Sequence, residues 1–260
     1  MLKGDLLNTL LSKYDRREAE NICAYYFDCL SKVHSDDYAE HKKQLLEGVP
    51  VQYVCNVSFF YGHELYVDKH TLIPRPETEE LVHWVITDHK DSKFDILEVG
   101  TGSGCILLSI LHKCTMANGL GLDVDPAIQK VFDINCKKLN VSPEFICADF
   151  LNKDNWSMLG NYDVIVSNPP YISHQEYTRL GDNVIQYEPH LALFTESDPL
   201  IFYRLILEFA KNYLNAGGNI YFETNDIYNK EMEALAAAYE YKFDYRKDMQ
   251  GAWRMLKLWK

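Results

Sequence analysis

The chain has 260 residues, enough for one sizeable core and a small accessory unit, since domains cluster around roughly 100–200 residues. A composition 47% hydrophobic and 25% charged is that of a folded soluble chain, and no apolar run approaches the roughly 18–20 residues that a membrane span requires. Against 38 acidic residues stand only 26 basic ones, a net charge of −12, which argues against stable binding of a long nucleic acid whose phosphates need clustered Lys and Arg.

The opening Met1-Leu-Lys-Gly-Asp5 lacks the basic and apolar blocks of a secretory signal, so a cytoplasmic location is expected. The seven cysteines are odd in number and scattered, with no C-x-x-C pair, and read as reduced core residues. The nine histidines show no metal-ligand spacing, and no metal site is expected.

Residues 1–46 read as helices. Leu6, Leu7, Leu10, Leu11 and Tyr14 recur at helical spacing, as do Ile22, Tyr26, Cys29, Leu30 and Val33, and Ser35 with Asp36 offers a helix start before Tyr38 to Leu46. Gly48 and Pro50 break the pattern and open a connector, residues 47–75, in which Val57 to Val67 alternates about a Gly62-His63 turn like a β-hairpin. Phe59, Phe60 and Tyr61 there read as hairpin core rather than a binding stripe.

From Phe94 onward strands and helices alternate: strand 94–99, helix 103–115, strand 118–122, helix 126–139, then strands 144–148 and 162–167. After a long loop come helix 198–214, strand 218–223, helix 226–239, and strands near 241–246 and 252–259. This predicts a doubly wound, mostly parallel sheet with ligands at the carboxyl ends of its strands. The connection around Gln250-Gly251 is too short for a helical crossover, so the closing strands are predicted to pair antiparallel.

Ile96 to Gly104 reads Ile-Leu-Glu-Val-Gly-Thr-Gly-Ser-Gly, placing Gly100, Thr101, Gly102, Ser103 and Gly104 where a strand turns into a helix. Glycine permits positive φ and a close ligand approach. The G-x-G-x-G pattern differs from the dinucleotide G-x-G-x-x-G and suits an adenosyl ligand without a pyrophosphate. Asp123 closes the next strand, where a carboxylate can accept both ribose hydroxyls. Asp125 is an alternative, although its place before Pro126 suits a helix N-cap. After the third strand, Asp149 and Phe150 are candidates for the adenine amino group and ring.

Asn168-Pro169-Pro170-Tyr171 follows the apolar strand Val164-Ile-Val-Ser167. Two prolines fix φ and remove two N–H donors, leaving a rigid surface of acceptor groups. The Asn168 side-chain oxygen and the Pro169 carbonyl could accept both protons of a planar NH2 group, with Tyr171 stacked on it. Such a nitrogen is a poor nucleophile, so alignment and acceptors for its developing positive charge matter more than a strong base.

These motifs, in this order, resemble the release factor glutamine methyltransferases, and the resemblance spans nearly the whole chain. Further matching segments are Gly48-Val-Pro-Val-Gln-Tyr53, Leu72-Ile-Pro-Arg-Pro-Glu-Thr-Glu79, Tyr187-Glu-Pro-His-Leu-Ala-Leu193, and Asp248 with Gly251 and Arg254. The resemblance implies an α/β class I S-adenosylmethionine-dependent methyltransferase fold, a doubly wound sheet with an antiparallel last strand. Residues 76–260 would form that domain, preceded by the connector and by a small helical domain, 1–46, that recognises the substrate. It implies methyl transfer from S-adenosylmethionine to the glutamine side chain of the Gly-Gly-Gln motif in a peptide-chain release factor. Gly100 to Gly104 would then line the methionine part of the cofactor, Asp123 its ribose, and Asp149 and Phe150 its adenine. Asn168 to Tyr171 would hold the glutamine amide, with Asn168 also beside the cofactor. Glu98 stands where an aspartate is usual and Thr224-Asn225 where a glycine is, and the helical unit is short. For Arg75 and Glu77 a surface ion pair and a helix-start carboxylate stand as structural alternatives, weighed evenly against a functional role. An amino-group methyltransferase acting on RNA or DNA bases, or on another protein glutamine, remains the alternative, because that class shares the NPPY tetrapeptide.

Overall fold

The computed structural model describes residues 2–30, 37–173, 181–195 and 198–260. The Val33 position and the Ser35-Asp36 helix start lie outside the described residues.

Four helices open the chain: α1 (Leu2–Leu10), α2 (Arg16–Leu30), α3 (Tyr38–Glu47) and α4 (Val51–Cys55). Leu6, Leu10, Cys23, Tyr26 and Leu45 close a small core, to which Val51, Val54, Cys55 and Val57 of the connector also belong. Gly48 stops α3 in the left-handed conformation, φ +103°, where its N–H reaches the carbonyls of Gln44 and Leu45. Pro50 then opens α4, whose own N–H orphans make a proline harmless there.

The hairpin consists of β1 (Ser58–Phe60) and β2 (His63–Leu65), paired antiparallel with Phe60 opposite His63. Its turn is therefore Tyr61-Gly62, one residue earlier than the expected Gly62-His63. Both turn residues have positive φ, as a two-residue turn matching the strand twist requires. Phe60 is core, whereas Phe59 is exposed.

Next comes α5 (Pro76–His89), a helix the sequence reading left unassigned apart from its Glu77 start. The α/β unit follows as β3 (Asp95–Val99), α6 (Cys105–Lys113), β4 (Asn118–Asp123), α7 (Ile128–Leu139), β5 (Glu144–Cys147) and β6 (Tyr162–Ser167). Two short helices, α8 (Asp182–Tyr187) and α9 (His190–Leu193), stand in the predicted loop. The chain closes with α10 (Ile201–Tyr213), β7 (Leu214–Glu223), α11 (Asn229–Ala238), β8 (Lys242–Lys247) and β9 (Trp253–Trp259).

The seven-stranded sheet has the order β5-β4-β3-β6-β7-β9-β8. Strands β3 to β7 run parallel, and β9 is antiparallel to both β7 and β8, as the short Gln250-Gly251 connection demands. Helices cover both faces, so β6 reads as a continuous apolar run whose Val164, Ile165 and Val166 are fully buried. The chain leaves β3 in one direction to β4 and reaches β6 in the other. This is a topological switch point, and it opens a crevice beyond the carboxyl ends of β3 and β6.

Among the described residues no cysteine forms a disulfide, but Cys147 is exposed and Cys105 and Cys136 are partly so. The core reading therefore holds for the other four only.

Candidate active site

At the switch point a cleft of about 1080 Å³, counted with the solvent at its mouth, is lined by the glycine loop, Asp123, Asp149, Phe150, Asn168 and Pro170. Beside it a second cavity of about 550 Å³ is lined by Asn168, Pro169, Pro170, Tyr171 and Glu223. Asn168 and Pro170 border both, so the NPPY loop is the partition between a large chamber and a small one.

The glycines divide by role. Gly100 and Gly102 have φ of +77° and +51°, and a Cβ on either would meet nothing within 4 Å, which leaves the loop backbone bare to the cleft. Gly104 also has positive φ, but a Cβ there would press into Leu108 and Phe132 at 2.8–2.9 Å, so it serves helix packing. Gly104 is accordingly the one loop glycine outside the cleft lining.

Glu98 braces this loop from below. Its Oε2 accepts the Thr101 hydroxyl and the Leu107 N–H, and the side chain is 1% exposed. The extra methylene relative to aspartate lets one carboxylate reach both groups. Burial pushes its pKa up to about 8. Because the folded value lies above the ordinary 4.5, Glu98 contributes stability that is full below about 4.5 and is lost as pH rises through 8. Glu98→Gln, which cannot ionise, should show a shallower loss of stability over that window. Chemical denaturation at pH 5, 6.5 and 8 measures it, and equal slopes for both proteins would contradict the burial effect.

Asp123 crosses from the end of β4 to accept the Gly102 N–H through Oδ2 at 2.8 Å and the Asp125 N–H through Oδ1. Burial raises its pKa, while these N–H groups oppose the rise. Asp125 is not the helix N-cap that its place before Pro126 suggested: Ala127 caps α7, and Asp125 Oδ1 accepts the Ala127 N–H at 2.9 Å in the turn ahead of it. Asp149 is exposed and its Oδ1 accepts the Leu151 N–H. Phe150 lines the cleft, but its ring is 4% exposed and packed against Trp156 and Phe209 at centroid distances of 5.6 and 5.5 Å. That ring is chiefly core.

The NPPY loop is fixed at both ends. Ser167 donates to the Val99 carbonyl at 2.7 Å, tying β6 to β3, and Ile172 forms a parallel bridge with Phe194. Asn168 Nδ2 lies 3.5 Å from Thr78 Oγ1, and Thr78 in turn donates to Glu223 Oε2 at 2.5 Å. Arg254, whose Nε donates to Asp248 Oδ2 at 3.3 Å, lies near enough to act electrostatically on both Tyr171 and Glu223. Burial lifts the Glu223 carboxyl to about 7, against the pull of Thr78 and Arg254. Thr224 stands without strain where a glycine was expected, its N–H donating to the Arg254 carbonyl at 2.7 Å.

Several cleft residues escaped the reading of single motifs: Leu72, Thr78, Val124, Leu191 and Phe202. Leu72, Thr78 and Leu191 lie inside segments that carry the family resemblance, but no spacing rule marks them. Arg75 is more than a surface charge, because its Nη2 meets Glu188 Oε1 at 2.6 Å and the Glu188 side chain is 2% exposed. Glu77 lies in the first turn of α5 and accepts from Gln250 Nε2. Among the described residues no cluster of His, Cys, Asp and Glu could hold a metal, and no helix is long and apolar enough to cross a membrane.

A parallel sheet broken by one antiparallel strand, with a glycine loop and carboxylate facing an NPPY loop across its switch point, defines a class I methyltransferase. Residues 79–193 match the family model described as Methyltransferase small domain. The chain is 39% identical over 221 residues to the release factor glutamine methyltransferase of Flavobacterium psychrophilum, covering 83% of this chain and 77% of that one. Against the enzyme of the same name from Bacteroides thetaiotaomicron it is 36% identical, covering 82% and 77%. A solved methyltransferase from Pyrococcus furiosus superposes with a TM-score of 0.55 at 16% identity, covering 85% of this chain and 98% of that one, a likeness of fold. The chain belongs to the release factor glutamine methyltransferases, and its methyl donor is S-adenosylmethionine.

Proposed function

We propose that this protein methylates the side-chain amide nitrogen of the glutamine in the Gly-Gly-Gln motif of a peptide-chain release factor. The observation that carries the reading is the partition: one loop, Asn168 to Tyr171, separates a chamber fit for the cofactor from a smaller one fit for a single side chain. Bound S-adenosylmethionine supplies an electrophilic methyl group. Gly100 to Ser103 would hold its methionine part, since the bare loop at Gly100 and Gly102 leaves room that a Cβ would fill. Asp123 would take the ribose, whose hydroxyls can use the lone pairs left over from Gly102 and Asp125. Asp149 and the rim of Phe150 would border the adenine.

In the smaller chamber Asn168 Oδ1 and the Pro169 carbonyl would accept the two protons of the glutamine NH2, while the Tyr171 ring would exclude water. Both prolines keep those acceptors from moving as charge develops on nitrogen.

The helical unit within residues 1–46, whose α2 and α3 pack with α4, would dock the release factor. Every cofactor-facing residue lies after it, and the end of α3 meets the end of α8 where Tyr187 donates to the Glu47 carbonyl at 3.1 Å. The charge of −12 supports a protein rather than a nucleic acid as stable partner. The test is incubation with methyl-labelled S-adenosylmethionine and a release factor, the same factor with the motif glutamine replaced, or RNA. Label in the first only is the expected result; label in RNA, or in the factor lacking that glutamine, would contradict it.

Loss of Asp123 should be read in binding rather than turnover. Asp123→Ala removes a charged acceptor and frees the Gly102 N–H, and a hydrogen bond to a charged group contributes about 1.5–3 kcal/mol, so affinity should fall roughly 10- to 100-fold. Calorimetric titration with S-adenosylmethionine giving the parent affinity would remove Asp123 from the site.

A further inference from the structure

We propose that Thr78 and Glu223 are positioning residues that decide which end of the Asn168 side-chain amide meets the acceptor, an inference that rests on the glutamine reading of the smaller chamber. Asparagine presents an oxygen at one branch and an NH2 at the other, of nearly equal shape. Only one orientation places Oδ1 where it can accept from an acceptor nitrogen. The reversed one would present donors to a group that is itself a donor.

The three residues come from separate elements: Thr78 from the first turn of α5, Asn168 from the end of β6 and Glu223 from the end of β7. Thr78 and Glu223 are 2% and 4% exposed, so neither answers to bulk water. The Thr78 hydroxyl has one proton, and at 2.5 Å from Glu223 Oε2 that proton is committed to the carboxylate whenever Glu223 is ionised, above about pH 7. Its oxygen can then only accept. The neighbour 3.5 Å away is therefore the NH2 of Asn168, and Oδ1 is turned to the opposite side. Flipping the amide would set two oxygens against each other in a buried place with no proton between them. Contacts of this length in a site without its ligands commonly shorten when the ligands bind.

Glu223 thus acts at a distance, through a hydroxyl, on a group that touches the acceptor. Arg75, Glu77 and Arg254 set its electrostatic surroundings.

In the parent protein bound to S-adenosylmethionine, NMR with labelled asparagine should show the Asn168 NH2 protons close to the Thr78 methyl group. Nuclear Overhauser contacts to that methyl are expected, and their absence overturns the relay. That measurement needs no acceptor, so it stands apart from the glutamine reading, which fails if the parent leaves release factor unlabelled. Single-turnover methylation of release factor extends the test. T78V, isosteric but without a hydroxyl, should lower the rate about 10-fold, the worth of one polar contact, at unchanged cofactor affinity. T78S keeps the relay and should recover most of that rate. In an N168A background T78V should cost nothing more, because the group it positions is gone. Parent-like turnover by T78V, or an equal loss on the N168A background, overturns the proposal.

Discussion

Asn168→Ala should lower the single-turnover rate of methyl transfer about 100- to 1,000-fold while leaving S-adenosylmethionine affinity much less affected. An amide nitrogen has its lone pair delocalised into the carbonyl, so the enzyme gains most by holding it in line and by accepting its protons as positive charge builds. Asn168 is placed for both tasks, on a strand end pinned by the Ser167–Val99 hydrogen bond and before two prolines that cannot yield. Asn168→Asp is a harsher change than its shape suggests. It has no NH2 to offer Thr78, and it sets a second carboxylate beside the Thr78–Glu223 pair. Rapid-quench measurement at saturating cofactor, with thermal unfolding as the control for folding, checks both variants. A folded N168A protein that transfers methyl within a few-fold of the parent would reduce NPPY to a turn.

The sheet was legible because its signals are local. β6 lies at the predicted 162–167, and the glycine loop, Asp123 and NPPY all fall at strand ends, where a parallel sheet gathers its ligands. The antiparallel closing pair followed from loop length alone. What stayed hidden depends on partners distant in sequence. Pro76 to His89 has a favourable helix start, a first-turn proline with Glu77 and Glu79, but its apolar positions show their stripe only once Leu81, Val82 and Trp84 to Ile86 are buried against β7 and α6. Phe150 looked like a free ring beside a ligand, and only the arrival of Trp156 and Phe209 from later in the chain makes it core. Thr78 and Glu223 are 145 positions apart, and no periodicity could have paired them.

The ion pair between Arg75 and Glu188 supplies the largest expected change in stability. Glu188 sits at the end of α8, with Oε2 accepting the Ile73 N–H at 3.1 Å and Oε1 meeting the guanidinium at 2.6 Å. Its side chain is 2% exposed, whereas that of Arg75 is 34% exposed. Arg75→Ala therefore strands a carboxylate in a place water scarcely reaches. A fully buried pair costs about 3–5 kcal/mol to break, and the partial exposure of Arg75 and the remaining Ile73 N–H put this one at about 2–3 kcal/mol. For a chain of this size the unfolding midpoint should fall on the order of 10 °C. The damage is directed at the site, because the residues just after Glu188 form a wall shared by the two chambers: Ala192 lines both, Pro189 and Leu191 the larger, Leu193 the smaller. Removing both charges separates desolvation from packing. R75L together with E188L leaves no unpaired ion, so the double variant should regain most of the stability that R75A loses. Differential scanning calorimetry of the parent, R75A and the double variant decides the matter. If R75A unfolds with the parent, or the double variant is worse than R75A, the pair is not the buried staple that holds this wall in place.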